Sequence, residues 1–140
     1  MESCTGGGLC NAITNIEGSS EVFKFGAVTY ANKYKIKLGV DKRVIDDYSV
    51  YSIETAKEMS RNISEFSNAD YGVGITGKLN RIDKNNLYGE DNVVFVSVYD
   101  AGRKEYYTGS LKVTESSRKE NKLLVINLVI DLMLDVIKPQ

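Results

Sequence analysis

Ser3, Thr5 and the run Gly6-Gly7-Gly8 stand directly before apolar residues at helical spacing. The start of a helix presents unpaired backbone N–H groups and the positive end of the helix dipole. Glycine lets a ligand approach the backbone closely, so this segment is a candidate oxyanion hole or phosphate-binding site. The structural alternative is a flexible terminal turn, which three glycines alone do not exclude.

Three lysines, Lys33, Lys35 and Lys37, follow Tyr30 at alternate positions. On a helix Lys33 and Lys37 share a face, and Lys35 points roughly the opposite way. A lysine turned away from solvent must be paired, be neutral or reach a pocket. Because desolvation lowers the pKa of lysine, such a residue can take a proton from a serine and activate it as a nucleophile. The alternative for each lysine is an ordinary solvated charge.

Histidine is absent from all 140 residues. Its absence excludes Ser-His-Asp and Cys-His catalysis, His-ligated zinc and the usual base at neutral pH. Two cysteines, Cys4 and Cys10, are too few for a zinc site, and their spacing is not that of a redox motif. No signal peptide precedes them, so we expect free thiols in a reducing cytoplasm. We also expect that the chemistry requires neither a metal nor a cofactor.

Further polar residues lie where ligands commonly bind. Thr76 closes a predicted strand, and ligands of α/β sheets bind beyond the carboxyl ends of strands. Arg118 and Lys122 are four apart in the first turns of the last predicted helix, where both can reach one phosphate. The structural alternatives are a strand-end cap for Thr76 and solvated charges for the two cations. Ser19-Ser20 is most simply a loop or a helix cap.

The overall composition is that of one ordinary soluble globular domain over residues 1–140, with 42% hydrophobic and 26% charged residues. Lys and Arg number 18 against 19 for Asp and Glu, a balance that disfavours nucleic acid as a partner. The longest apolar stretch, 123–137, is broken by three polar residues four apart, so it predicts a helix with a polar stripe and no membrane span.

Hydrophobic periodicity predicts the elements that position these residues. Helices are expected from the glycine run, over 32–38 and 41–47 and after the caps Ser52 and Ser117, and strands over 25–30, 71–76, 93–99 and 105–113. The segment 78–91 lacks periodicity, and a loop of that length is usually functional or disordered. This order of elements predicts an α/β domain with three layers, α/β/α, in which helices cover a mixed sheet.

Taken in order along the chain, the motifs resemble the C-terminal domain of the CinA family. They are Glu2-Ser3-Cys4-Thr5-Gly6-Gly7, Gly18-Ser19-Ser20, Gly26-x-Val28-Thr29-Tyr30-x-Asn32-x-x-Lys35, Leu38-Gly39-Val40, Tyr51-Ser52-x-Glu54-Thr55-Ala56 and Ala69-Asp70-x-Gly72-x-Gly74-Ile75-Thr76-Gly77. The likeness extends over essentially the whole chain. It implies an amidohydrolase that converts nicotinamide mononucleotide (NMN) to nicotinic acid mononucleotide and ammonia, in bacterial recycling of pyridine nucleotides.

The resemblance also assigns catalytic residues. The family uses a Ser/Lys pair without histidine, and the matching positions are Ser3 and Lys35. Tyr30, Thr76 and Ser20 match other active-site positions. Ser20 stays open as the nucleophile; Ser3 is preferred because it lies at a predicted helix start.

Substrate-binding positions follow from the same likeness. The backbone N–H groups of Gly6 and Gly7, beside Thr5, are expected to hold the oxyanion. Arg118, in Ser116-Ser117-Arg118 where the family has Gly-Asp-Arg, is expected to bind a phosphate or carboxylate.

Two departures from the family bear on function. The loop 78–91 replaces a Gly/Pro-rich loop, and we expect it to form one wall of the pocket and to affect substrate identity. Family members carry a helix and a strand before Glu2, whereas this sequence starts at Met1, so Ser3 is expected on a frayed end beside an unpaired sheet edge. Either the numbered start is not the natural one, or the chain is an inactive relative. The alternative function is therefore an inactive nucleotide-binding or assembly domain. The apolar last helix predicts a homodimer.

Overall fold

The computed structural model describes residues 1–85, 87 and 89–138; within the predicted loop 78–91, residues 86 and 88 lie outside the described residues. The helices are α1 (Gly8–Thr14), α2 (Asn32–Lys37), α3 (Lys42–Tyr48), α4 (Ile53–Ser67) and α5 (Arg118–Ile137), with a short 3-10 helix at Ser19–Glu21, and the strands are β1 (Tyr71–Gly77), β2 (Val93–Asp100) and β3 (Glu105–Lys112). Every predicted helix is present. The predicted strand over 25–30 is reduced to a single bridge at Val28.

The sheet has the order β1-β2-β3, and both neighbouring pairs are antiparallel. Beside β1, Glu2 forms parallel bridges to Ile75 on one side and to Val28 on the other. The chain is thus an α/β domain with an antiparallel sheet of three strands packed against helices. The predicted mixed sheet is therefore confirmed only in part: the three strands are antiparallel, and the parallel pairing is confined to the bridges of Glu2.

Helices cover both faces of the sheet because side chains alternate along its strands. Val94 and Val96 of β2 pack with Val125 and Val129 of α5. On the opposite face α4 lies directly on β1, where a Cβ at Gly74 would meet the Ala56 carbonyl oxygen at 2.2 Å. None of the helices in the described part of the chain is long and apolar enough to cross a membrane.

Side-chain caps fix where three helices begin. Asp41 accepts a hydrogen bond from the Arg43 N–H, Ser52 from the Thr55 N–H and Ser117 from the Glu120 N–H. The caps predicted at Ser52 and Ser117 are confirmed, and Asp41 caps the helix predicted over 41–47.

The start of the chain is held on both sides, so the expectation that Ser3 lies on a frayed end is wrong. The Glu2 N–H donates to the Ala27 carbonyl at 2.9 Å, and its carbonyl accepts from the Thr29 N–H at 2.9 Å. Toward β1, the Ser3 N–H donates to the Ile75 carbonyl at 3.1 Å. These bonds fill the place beside β1 where an unpaired edge was expected.

Candidate active site

The centre of the candidate site is the pair formed by Ser3 and Lys35, which lie 32 residues apart in sequence. The Lys35 Nζ atom lies 3.4 Å from the Ser3 Oγ and donates to the Thr29 carbonyl oxygen at 2.7 Å. Ser3 follows the bridge of Glu2, and Lys35 comes from α2. The pairing at Glu2 and the short α2 therefore bring a hydroxyl and an amine together.

Lys35 is buried, with 1% of its surface exposed, whereas Lys33 and Lys37 on the same helix are exposed. This is the separation that helical spacing predicts for the three lysines. Burial disfavours the charged ammonium and lowers the pKa of Lys35 to about 8. The residue is thereby a base that can take the proton of a neighbouring hydroxyl near neutral pH.

A buried carboxylate orders the backbone around Ser3. Glu2 accepts hydrogen bonds from the Thr5 hydroxyl at 2.5 Å and from the N–H groups of Leu9 and Cys10 at 3.1 Å each. Burial acts to raise the pKa of Glu2, but the hydrogen bonds from Thr5, Cys10 and Leu9 together hold it below its ordinary value. An ionised Glu2 thus anchors the beginning of α1 immediately beside Ser3.

Ser3 and Lys35 open onto a cavity of about 1010 Å³, at the upper end of the roughly 300–1000 Å³ typical of small-molecule sites. Its described lining consists of Ser3, Cys4, Tyr30, Ala31, Asn32, Lys35, Val50, Tyr51, Gly77, Lys78, Leu79, Arg81, Ile82, Asp83, Lys84, Asn85 and Arg118. Two predicted site residues besides the Ser/Lys pair are in this set, Tyr30 and Arg118. The segment 78–85 lies on the cavity, where the sequence led us to expect a wall.

Other predicted site residues lie elsewhere. Ser20 is exposed in the short 3-10 helix and is not in the cavity lining. Thr76 is fully buried, and its hydroxyl donates to the Val50 carbonyl at 2.8 Å. Thr5 is also buried and donates to Glu2. Lys122, expected to join Arg118 at a phosphate, is likewise absent from the lining.

One of the two expected oxyanion donors already has a partner within the chain. The Gly6 N–H donates to the Ser3 carbonyl at 2.9 Å, so a turn uses the group that was assigned to the ligand. Gly7 is the N-cap of α1 with φ of 99°, and neither glycine lines the cavity. Within the described residues, neither the Cys4 N–H nor the Thr5 N–H donates to a backbone carbonyl of another residue, and of the two only Cys4 is in the described cavity lining. These two groups directly follow Ser3 in sequence.

Sequence reasoning missed several residues of the cavity. Cys4 was treated only as a free thiol, yet it lies in the lining beside Ser3. Burial raises the pKa of Cys4 to about 12, so the thiol is protonated at neutral pH and is a poor nucleophile. Tyr51 contacts the segment 78–85 through a hydrogen bond from its hydroxyl to Asp83. The signal that could have identified Tyr51 was its place in the family motif Tyr51-Ser52-x-Glu54-Thr55-Ala56, directly before the cap of α4.

Comparison with known proteins gives a consistent result. The family model described as the CinA C-terminal domain matches residues 1–137. A "CinA-like protein" of Endomicrobium trichonymphae is 37% identical over 134 residues, which are 94% of this chain and 30% of that protein. A competence-damage inducible protein of Thermoanaerobacter sp. (strain X514) is 48% identical over 77 residues, 54% of this chain and 19% of the relative. The chain therefore matches between a fifth and a third of the length of these relatives.

Solved structures show the same fold. A CinA superfamily protein from Escherichia coli is 25% identical with a TM-score of 0.87, over 97% of this chain and 77% of that one. A competence/damage inducible protein from Agrobacterium tumefaciens is 27% identical with a TM-score of 0.81, over 94% of this chain and 81% of that one.

Proposed function

This chain belongs to the CinA C-terminal domain family, and we propose that it is an amidohydrolase that converts NMN to nicotinic acid mononucleotide and ammonia. The observation that carries the proposal is a buried lysine of lowered pKa, 3.4 Å from a serine hydroxyl at the edge of a large cavity. The family includes amidohydrolases of this kind, and the pair supplies a nucleophile and a base without histidine.

In the proposed reaction, neutral Lys35 accepts the Ser3 proton as the Ser3 Oγ attacks the carboxamide carbon. The N–H group of Cys4, which lines the cavity directly after Ser3, is the available donor for the oxyanion. The Lys35 ammonium then gives its proton to the departing amide nitrogen, so ammonia leaves and an acyl ester remains on Ser3. Lys35 then takes a proton from a water molecule as its oxygen attacks the ester. Lys35 returns that proton to the departing Ser3 oxygen, and the carboxylic acid product ionises to the carboxylate. No step uses a metal or a cofactor.

The remaining cavity residues suit the rest of the substrate. Arg118 provides a planar cation for the phosphate, and Tyr30 contributes an exposed ring to the cavity lining. Removing Arg118 is expected to raise KM more than it lowers kcat, because its contact is made equally in the ground state and the transition state.

The test is ammonia release from NMN by the full chain and by Ser3→Ala, Lys35→Ala and Ser20→Ala variants. The first two are expected to lose activity by about 10³-fold or more, as when a nucleophile or its base is removed. Ser20→Ala is the matched control and is expected to retain it. Full turnover by Ser3→Ala would refute the assignment, and loss of turnover in Ser20→Ala alone would move the nucleophile to Ser20.

The second candidate is a nucleotide-binding domain without turnover. It is favoured by the Ser3–Lys35 separation of 3.4 Å, which exceeds the roughly 2.6–3.2 Å of a working hydrogen bond between base and nucleophile. Under this alternative NMN raises the melting temperature by mass action while no ammonia forms. The two measurements on one sample distinguish the candidates.

A further inference from the structure

The connection between β1 and β2 begins as an ordered arm. The Lys78 N–H donates to the Val93 carbonyl at 3.0 Å, and the Arg81 N–H donates to the Asp91 carbonyl at 3.1 Å. The hairpin therefore continues beyond the ends of its strands. Its first side, residues 78–85, is called the arm below.

Two contacts join the arm to the beginning of α4. The Tyr51 hydroxyl donates to the Asp83 carboxylate, and burial together with this contact raises the pKa of Tyr51 above its ordinary range. Lys78 has 3% of its surface exposed and lies with its Nζ 5.0 Å from the centre of the Tyr51 ring and 3.4 Å from Asp91. The arm is held by a hydrogen bond, a cation–π contact and an ion pair.

The anchored arm presents two cations to the cavity. Arg81 and Lys84 are exposed and line it, and neither forms an ion pair within the described residues. Together with Lys35, Lys78 and Arg118 they make five cationic residues among the described lining, against one carboxylate, Asp83. The whole chain has a net charge of -1. Positive charge is thus concentrated at the cavity of a protein that is otherwise slightly acidic, which favours anionic ligands there.

We propose that Arg81 and Lys84 form a second anion subsite of the cavity, which binds the additional phosphate of a nicotinamide nucleotide that carries a diphosphate group. The proposal rests on the proposed function for the nicotinamide end of the ligand. Arg118 accounts for one phosphate, and the cations of the arm lie on a different element. A cavity of about 1010 Å³ has room for a ligand larger than a mononucleotide. Two linked phosphates can bind Arg118 of α5 and the cations of the arm at the same time.

The test measures binding of inorganic pyrophosphate and orthophosphate to the full chain by calorimetry at constant ionic strength. We expect the chain to bind pyrophosphate at least about tenfold more tightly, the effect of one further charge-assisted hydrogen bond. An Arg81→Ala/Lys84→Ala double variant is expected to lose this preference. Both residues are exposed, so the variant is expected to fold. The matched control is Lys42→Ala/Arg43→Ala, which removes two exposed cations from α3, outside the cavity lining.

Equal affinity for the two anions in the unmodified chain would overturn the proposal, and so would an unchanged preference in the Arg81→Ala/Lys84→Ala variant. Loss of the preference in the α3 control as well would attribute it to net charge and also overturn the subsite. Because the probes are inorganic anions, the result does not depend on amide hydrolysis. Comparing ammonia release from NMN and from nicotinamide adenine dinucleotide then tests the substrate class, and failure with both would count against the proposed function alone.

Discussion

Lys35 is a cation in a place where a charge is unfavourable. Its side chain is buried, and its Nζ has the Thr29 carbonyl and the Ser3 hydroxyl as its hydrogen-bonding neighbours. Among the described residues no carboxylate forms an ion pair with it, and burial outweighs the opposing influence of Cys4, so the pKa of Lys35 is lowered. The same environment that makes the residue a usable base also reduces the stability of the folded chain.

The pH dependence of catalysis follows from this residue. With a pKa of about 8, about a tenth of Lys35 is neutral at pH 7. We expect kcat/KM for NMN to rise about tenfold per pH unit below 8 and to level off above it. The measurement is the pH profile of ammonia release between pH 5.5 and about 9.5. A profile already flat from pH 6 would contradict the role of Lys35 as the base.

Replacing Lys35 by methionine is expected to abolish turnover and to stabilise the fold. The pKa of about 8, set against an ordinary lysine value of about 10.5, corresponds to about 3 kcal/mol of unfavourable free energy while both states are protonated. Losing the hydrogen bond to Thr29 offsets part of the gain. The free energy of unfolding of Lys35→Met is therefore expected to exceed that of the unmodified chain by about 1–3 kcal/mol at pH 7.

The size of this effect changes with pH in a defined way. Between the folded and unfolded pKa values the unfolded chain binds more protons, so the unmodified chain gains stability as pH rises through this window. The advantage of Lys35→Met in melting temperature should therefore shrink between pH 8 and about 10.5. Lys33→Met, at an exposed position of the same helix, is the control and should change little. A variant less stable than the unmodified chain at pH 7 would contradict the account.

For individual side chains, the sequence predicted only part of the site. Helical spacing distinguished Lys35 from its two neighbours because periodicity reports which face is buried. It could not show that the Thr76 and Thr5 hydroxyls donate to the Val50 carbonyl and to Glu2, since those partners depend on tertiary structure. Residue type identifies a hydroxyl, and only the fold determines whether it faces a ligand.

The element that positions Ser3 is the segment leading into α1. Glu2 forms parallel bridges to two neighbouring segments, and its carboxylate accepts two hydrogen bonds from the first turn of α1 and one from Thr5. A negative charge at a helix N-terminus is also favoured by the helix dipole. The glycine run predicted the helix start. The capping role of Glu2 was missed because the residue lies six positions before Gly8, outside the usual N-cap position.

Glu2→Gln is expected to destabilise the fold by about 1–3 kcal/mol, because hydrogen bonds to a charged acceptor are replaced by weaker ones. The lowered pKa of Glu2 means that its stabilisation is present above the ordinary glutamate value and is lost as pH falls through the folded value. The difference in melting temperature between the two chains should therefore be full at pH 7 and should decrease toward pH 3. Glu17→Gln, at an exposed position, is the control. A difference independent of pH would show that the charge of Glu2 does not matter.

For the whole molecule, periodicity and caps gave the order of elements, and tertiary pairing decided the rest. The helices were predictable because each has a cap or an apolar face. The strand expected over 25–30 became a bridge at Val28, since its partner is the short segment around Glu2 and few residues are available to pair. A segment that pairs through a single bridge is too short to show the alternation of apolar and polar residues from which a strand is predicted.

The homodimer remains a prediction, and the surface of the chain gives it a location. Ile16 of the segment after α1 and Leu134 and Ile137 of α5 are 68%, 59% and 45% exposed. With Ile13, Ile130 and Met133 they line an apolar groove of about 380 Å³ between the two helices. A contiguous apolar surface of this kind commonly marks an interface, and a second copy would cover it on both chains at once.

The expected mass in solution is therefore twice the 15.6 kDa of one chain. Leu134→Glu places a charge in the groove and should reduce the mass to that of a single chain, because an unpaired charge is costly to bury at an interface. Leu123→Glu is the matched control, since Leu123 is a 52% exposed leucine of the same helix that does not line the groove. Light scattering after gel filtration measures the mass of each variant in solution. A single-chain mass for the unmodified protein would refute the dimer, and a dimer that persists in Leu134→Glu would place its interface elsewhere.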